Sequence, residues 1–252
     1  MTEPAKSNPL DELTRLRRSP AMVAWQTSLH HLNNGRHAAA LAGYRELVNQ
    51  FPGIPQLWAE LGLAAGGDLE FGQADQAFQK ALQLAPNDAT LLLFIGTQYY
   101  HLRRLDQALA CLKRAVAADP SSTRPRLALG VWLERNRKLD EAWESVEACL
   151  SKDPKESQAL YLRAFLLHRK GLNKEAESAL RDFLGNKPAP SIDLQFSANH
   201  LLAVVLDGFG QYAEAPAFLG QSKALRRSMT DTSALEQIYP KWTGPGASSW
   251  RS

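Results

Sequence analysis

Two cysteines, Cys111 and Cys149, are all that the 252 residues contain, and they stand far apart with no CxxC pair. That excludes a disulfide framework and a cysteine zinc site, and it fits a reducing compartment. Long apolar runs are missing too. Leu91 to Gly96 and Leu201 to Leu206 fall far short of the roughly 18 residues that span a bilayer, so no membrane insertion is expected. The polar start Met1-Thr2-Glu3-Pro4 has no signal-peptide core, which points to the cytoplasm. Neither charge sign dominates: 29 basic and 26 acidic residues are mixed along the chain for a formal +3, so the concentrated positive field that nucleic acid requires is absent. No GxSxG elbow, P-loop or HExxH occurs, which removes the commonest hydrolase, nucleotide and zinc-protease signatures. What remains, 44% hydrophobic and 22% charged, is the composition of a globular protein with ample chain for a core.

That composition is organised by a period. Pro52, Pro86, Pro120, Pro154 and Pro188 follow one another at intervals of 34 residues. Stacked on that interval, Ala40, Ala74, Ala108, Ala142 and Ala176 fall in register; four residues further on stand Tyr44, Phe78, Leu112, Val146 and Leu180. Three later come Leu47, Ala81, Ala115, Cys149 and Phe183. Steps of four and three put these side chains on one face of a helix that ends just before each proline.

A second helix precedes it in each unit, read in the second as Trp58-x-x-Leu61-Gly62 and in the third as Leu92-x-x-Ile95-Gly96-x-x-Tyr99. Glycine at the eighth position lets the paired helices approach closely. Asn33-Asn34-Gly35 and Lys170-Gly171 are turn signals between the two helices, while Pro86-Asn87-Asp88 and Pro120-Ser121-Ser122 end one helix and offer caps to the next. Each unit is therefore a helical hairpin that cannot bury both stripes alone, and such units stack into arrays with a continuous core.

The W-x-x-L-G of the second unit, followed by A-x-x-x-F-x-x-A-x-x-x-x-P, closely resembles the tetratricopeptide repeat. The resemblance covers residues 21–190 as five units and implies an all-α fold, a right-handed α-solenoid of helix-turn-helix hairpins. A divergent sixth unit fits within 191–229 after a five-residue insertion, with Leu202-Ala203, Gly210-Gln211-Tyr212, Ala215 and Leu219 in place. It departs from the pattern at Arg227, where the proline should be, and at Pro216, tolerable only if its second helix starts at about Tyr212 or later. Residues 1–20 are expected to hold a short capping helix with Leu10, Leu13 and Leu16 on one side. Residues 230–240 offer a terminal cap, with the capping box Ser233-x-x-Glu236 and apolar Leu235, Ile238 and Tyr239. Residues 241–252, rich in Gly, Pro and Ser, read as a flexible tail in which Trp250 has no neighbour to pack on.

Three constellations invite a chemical reading and lose to a structural one. Gly208-Phe209-Gly210-Gln211-Tyr212-Ala213 matches a dinucleotide fingerprint after the strand-like run Leu201 to Leu206, with Asp231 about 20 residues on. The fingerprint needs a second parallel strand carrying that acid, and nothing between Ala217 and Asp231 reads as one. His30, His31 and His37 lack companion ligands at metal spacing, and His31 occupies the register of Tyr99, so neither a metal nor any cofactor is expected. Cys149 replaces alanine at a core position and reads as an inert buried thiol.

The remaining candidate surface lies on the first helices. Repeat positions 2, 5, 9 and 12 share a face, and the resemblance implies that this face lines a concave, peptide-receiving groove. Candidate groove residues are Trp25, Leu63, Leu93, Thr97 and Tyr100 from the first three units, then Arg124, Val131, Tyr161, Phe165 and His168 from the fourth and fifth. Aromatics and aliphatics in a concavity are the composition of a binding hot spot. Some family members clamp a partner's C-terminal carboxylate with Lys, Asn and Arg at set positions of three consecutive repeats. Here Trp25 and Leu29, Ala59 and Leu63, and Leu93 and Thr97 stand at the first of those positions, which disfavours that ligand.

The leading expectation is a non-enzymatic interaction module that binds an apolar protein segment with an affinity on the order of micromolar. A second expectation comes from the last repeat, Gly210 to Ala215 through Lys223 to Arg227, which looks like the end of the N-terminal repeat region in bacterial tetratricopeptide sulfotransferases. The sulfonate-donor phosphate loop of those enzymes is absent from these residues, so catalysis would have to lie in chain beyond Ser252.

Overall fold

The computed structural model describes residues 9–230, and among them every regular element is an α-helix. In chain order these are α1 (Pro9–Arg17), α2 (Ala21–Asn33), α3 (His37–Gln50), α4 (Pro55–Gly67), α5 (Phe71–Leu84), α6 (Ala89–His101), α7 (Leu105–Ala118), α8 (Thr123–Arg135), α9 (Leu139–Leu150), α10 (Ser157–Arg169), α11 (Asn173–Gly185), α12 (Ile192–Gly208) and α13 (Ala215–Thr230). They fall into two compact units, one ending at Pro120 and the other starting at Ser121. The first holds α1 and the hairpins α2/α3, α4/α5 and α6/α7; the second holds α8/α9, α10/α11 and α12/α13. The fold class is thus the all-α hairpin solenoid.

The second helices supply the core, for the reason the 34-residue register gives. Ala40, Ala74, Ala108, Ala142 and Ala176 are each wholly buried, and Tyr44, Phe78, Leu112, Val146 and Leu180 are buried four residues on. Only a methyl group fits where the paired helices are closest, and the larger side chain one turn later fills the space beside it. Gly62 meets the same demand, since an added Cβ there would stand 2.5 Å from the Phe78 ring. Cys149 is buried within α9, and burial raises its thiol pKa.

The inter-helix turns repeat as strictly as the core. Gly35, Leu69, Arg103, Arg137, Gly171 and Gly210 all adopt the left-handed conformation, with φ from 59° to 80°. After each, the next backbone N–H closes on the carbonyl five residues back: Arg36 on His31, Glu70 on Ala65, Arg104 on Tyr99, Lys138 on Leu133, Leu172 on Leu167 and Gln211 on Leu206. This is a helix C-terminal motif in which glycine is the unstrained residue, so Leu69, Arg103 and Arg137 hold the turn at a backbone cost. At the helix starts, Asp88 accepts from Leu91 N at 3.0 Å, and Ser191 accepts from Leu194 N at 3.4 Å. Ser122 stands at the start of α8 without such a bond; the cap expected there is not formed.

The run Leu201 to Leu206 is the C-terminal half of α12, buried except for Val204, and Gly210 serves the following turn, as the register of the sixth unit requires. Its apolar continuity comes from contact with helices on two sides, which periodicity alone cannot tell from a buried strand. In α1, Leu16 is buried but Leu10 is largely exposed. The helix is fixed instead by Glu12, which accepts from Gly53 N at 2.7 Å, and by Arg15 lying over the Phe51 ring. Pro216 is the second residue of α13, where its missing N–H leaves no helical bond unmade. The segment 230–240, its capping box, the tail 241–252 and Trp250 lie outside the described residues, apart from the final residue of α13.

Candidate functional site

In the first unit the candidate residues sit on α2, α4 and α6. Leu63, Leu93, Thr97 and Tyr100 are all half-buried. The Thr97 hydroxyl donates to the Leu93 carbonyl one turn back at 2.9 Å. The Tyr100 ring stands edge-on to His101 with centroids 5.8 Å apart.

Trp25 differs from the others. Its indole Nε1 donates to Glu60 Oε2 at 2.5 Å, tying α2 to α4. Glu60 is wholly buried, and desolvation pushes its carboxyl up to about 7, against the lowering effect of the hydrogen bonds from Trp25 and Tyr44. Tyr44 is raised in turn, by its own burial first and then by the Glu60 charge. A carboxylate wholly buried in an apolar hairpin junction is a costly arrangement. It orients the indole and removes its N–H from use by a ligand.

In the second unit Arg124 is exposed, whereas Val131, Tyr161, Phe165 and His168 are half-buried. Tyr161 and Phe165 pack against the cluster formed by Leu180, Phe183, Leu201, Leu202 and Val205, with the Tyr161 and Phe183 ring centroids 6.3 Å apart. The Tyr161 hydroxyl hydrogen-bonds the Ser197 side chain, and burial raises its pKa. His168 Nδ1 lies 2.8 Å from Asn173 Oδ1, joining the two helices of its hairpin. Arg169 Nε pairs with Glu134 Oε1 at 3.0 Å, linking α8 to α10.

A pattern emerges that the sequence reading did not contain. Three pairs of successive first helices are joined by a polar contact: α2 to α4 through Trp25 and Glu60, α8 to α10 through Glu134 and Arg169, and α10 to α12 through Tyr161 and Ser197. Glu60 was recoverable from register alone, since its position is filled by Phe94, Ala128 and Leu162 in the next three repeats, marking it as inward. The sixth hairpin contributes a surface that was also missed. Its first-helix residues His200, Val204 and Asp207 line a cleft of about 460 Å³ together with Tyr212 and Leu219.

None of the described residues forms a group of three or more His, Cys, Asp or Glu placed to hold a metal ion. His30 and His31 stand as tilted neighbours with ring centroids 6.2 Å apart. No described helix is long and apolar enough to cross a membrane.

Comparison with known proteins gives a uniform picture. Residues 67–130 and 127–190 match two family models, both described as tetratricopeptide repeat. The human mitochondrial import receptor subunit TOM70 is 28% identical over 117 residues, which is 43% of this chain and 19% of the human protein. The chain therefore matches about a fifth of the length of that relative. Among solved structures, Pseudomonas aeruginosa pilF aligns with a TM-score of 0.61 at 20% identity, over 86% of this chain and 96% of that one. MamA from Desulfovibrio magneticus aligns with a TM-score of 0.54 at 23% identity, over 66% and 93% of the two chains.

Proposed function

We propose that this chain, whose residues 67–190 match tetratricopeptide-repeat models, is a non-enzymatic interaction scaffold that receives an apolar protein segment on its first helices. The observation that carries this reading is the state of the first-helix side chains. Leu63, Leu93 and Tyr100 in one unit, and Val131 and Phe165 in the other, are neither wholly buried nor free in solvent. Such side chains are already ordered by packing below, so a partner that covers them gains apolar burial without a large further loss of rotamer freedom. Where polar contacts join neighbouring first helices, α8 to α10 and α10 to α12 in the second unit, they hold that surface at fixed spacing, which lowers the ordering cost of binding. A receptor role for the curated relative agrees with binding rather than catalysis. Arg124 and His168 sit at the polar margin and would select the flanks of the ligand.

A cytoplasmic location, and the absence of nucleic-acid partners and of cofactors, belong to the same proposal and rest on the mixed charge and the lack of catalytic motifs. The sulfotransferase-associated reading has only the residues of the last repeat behind it.

The test is selection of peptides from a random displayed library on the full-length protein. Enrichment of aromatic and aliphatic residues at a fixed spacing is expected, with cross-links from the bound peptide to residues of α4, α6, α8 or α10. Enrichment of purely charged sequences, or cross-links confined to the second helices, would overturn the proposal.

A further inference from the structure

The first helix of the sixth hairpin carries an open stripe that its predecessor lacks. Stepping back by the 34-residue repeat plus the five inserted residues, His200, Val204 and Asp207 correspond to Tyr161, Phe165 and His168 of α10. Those three are half-buried, and Tyr161 and Phe165 pack against the cluster that includes Leu201, Leu202 and Val205 of α12. On α12 itself all three positions are exposed, Val204 at 45%. Spaced i, i+4 and i+7, they share one face of the helix. Around Val204 that face is apolar: Ala203, Ala215, Pro216 and Leu219 line the cleft with it, as does Tyr212, which is 70% exposed.

The polar groups of this stripe complement one another across Val204. His200 stands one turn before it and Asp207 one turn after it, about 10 Å apart along the axis at roughly 1.5 Å per residue. The His200 ring is stacked on Phe196, with planes 12° apart and centroids 6.5 Å apart, which holds the imidazole on the helix surface. A helix of the same sequence laid antiparallel across Val204 sets each imidazole opposite the other's carboxylate, at both ends of the apolar centre. An imidazole N–H and a carboxylate are a donor and an acceptor whether or not the ring is charged. A parallel copy in register would instead set acid against acid. Contact of residue i with j and of j with i is what a two-fold interface requires, and opposite groups meeting across it fix its orientation. We propose that the occupant of this face is α12 of a second copy of the chain, in an antiparallel two-fold dimer centred on Val204 with a His200–Asp207 pair on either side. The dimer carries every ligand surface twice, so a partner with two copies of the bound segment is held by avidity; the pairing itself does not depend on that reading.

The experiment is sedimentation velocity on the full-length protein across a hundredfold concentration range, for wild type, Asp207→Lys, His200→Glu and an equimolar mixture of the two variants, with circular-dichroism melts to establish that each is folded. Wild type should pass from monomer to dimer as concentration rises. Each variant alone meets like charge at both ends of the interface and should dimerise at least tenfold more weakly. In the mixture one end pairs the native imidazole with the native carboxylate and the other pairs the two introduced charges, so a heterodimer should reappear with an affinity near that of wild type. A wild type that stays monomeric would overturn the proposal, because another occupant or none then covers the face. So would variants that dimerise like wild type, or a mixture that remains as monomeric as its components, since the contact would then not be the antiparallel pairing of α12.

Discussion

Replacing Glu60 by Gln should make the protein more stable above pH 7 and leave it unchanged near pH 4. The carboxyl is wholly buried, accepts one short bond from Trp25, and is held at about 7 in the folded chain against an ordinary value of 4.5. Its folded pKa lies above its unfolded one, so the folded state binds the proton more tightly. The stability tied to that proton is fully present below about pH 4.5 and is lost as the pH rises to about 7. At roughly 1.4 kcal/mol per decade of proton affinity, the loss amounts to about 3 kcal/mol. Glutamine keeps an oxygen for the Trp25 N–H and carries no charge at any pH, so it escapes the loss. The assay is urea denaturation followed by circular dichroism at pH values from 4 to 9, comparing the two proteins at each point. Other carboxylates titrate alike in both and cancel in the difference. The difference should be close to zero at pH 4, grow through pH 5 to 7, and level off at roughly 2–3 kcal/mol in favour of Gln. Parallel profiles, or a Gln variant less stable at pH 8, would refute the reasoning.

Substituting Gly for Leu69, Arg103 or Arg137, all at φ between 59° and 65°, should each raise stability by about 0.5–1 kcal/mol, because relief of left-handed strain outweighs the added unfolded-state freedom; thermal melts will read it. Gly62→Ala should cost about 1–3 kcal/mol in the same melts, since its Cβ meets the Phe78 ring at 2.5 Å. Cys111 and Cys149 are buried with thiol pKa values raised by desolvation, so neither should react with a disulfide reagent in the native protein at pH 8 within the time that urea-unfolded protein reacts fully.

The core was legible because it is a backbone-distance requirement repeated every 34 residues. Wherever two helices meet at their closest, a small residue is forced, and the alanine row from Ala40 to Ala176 states that requirement five times. The turns were half legible: Gly35 and Gly171 mark the left-handed position, but Leu69, Arg103 and Arg137 occupy it without a glycine signal. The candidate site was read least completely. Side chains at one repeat position divide between packing and exposure according to what the neighbouring helix carries, as Tyr161 shows by resting on Phe183 and bonding Ser197. Trp25 was placed in the groove by register, yet its N–H points inward to Glu60, a pairing across 35 residues that no local pattern contains. Glu60 is legible only in the repeat register, because a carboxylate on a helix taken by itself ordinarily means solvent.

The central claim, that the first helices carry the binding surface, is tested most directly by titrating one library-selected peptide into four full-length proteins by calorimetry. These are the wild type, Leu63→Glu, Val131→Glu and Lys80→Glu, the last on the exposed side of α5, with melts run on each to establish folding. At least one of the first two should bind tenfold or more weakly, about 1.4 kcal/mol, while Lys80→Glu binds like wild type. Equal affinity for all four, or loss confined to Lys80→Glu, would place the binding surface elsewhere and contradict the account.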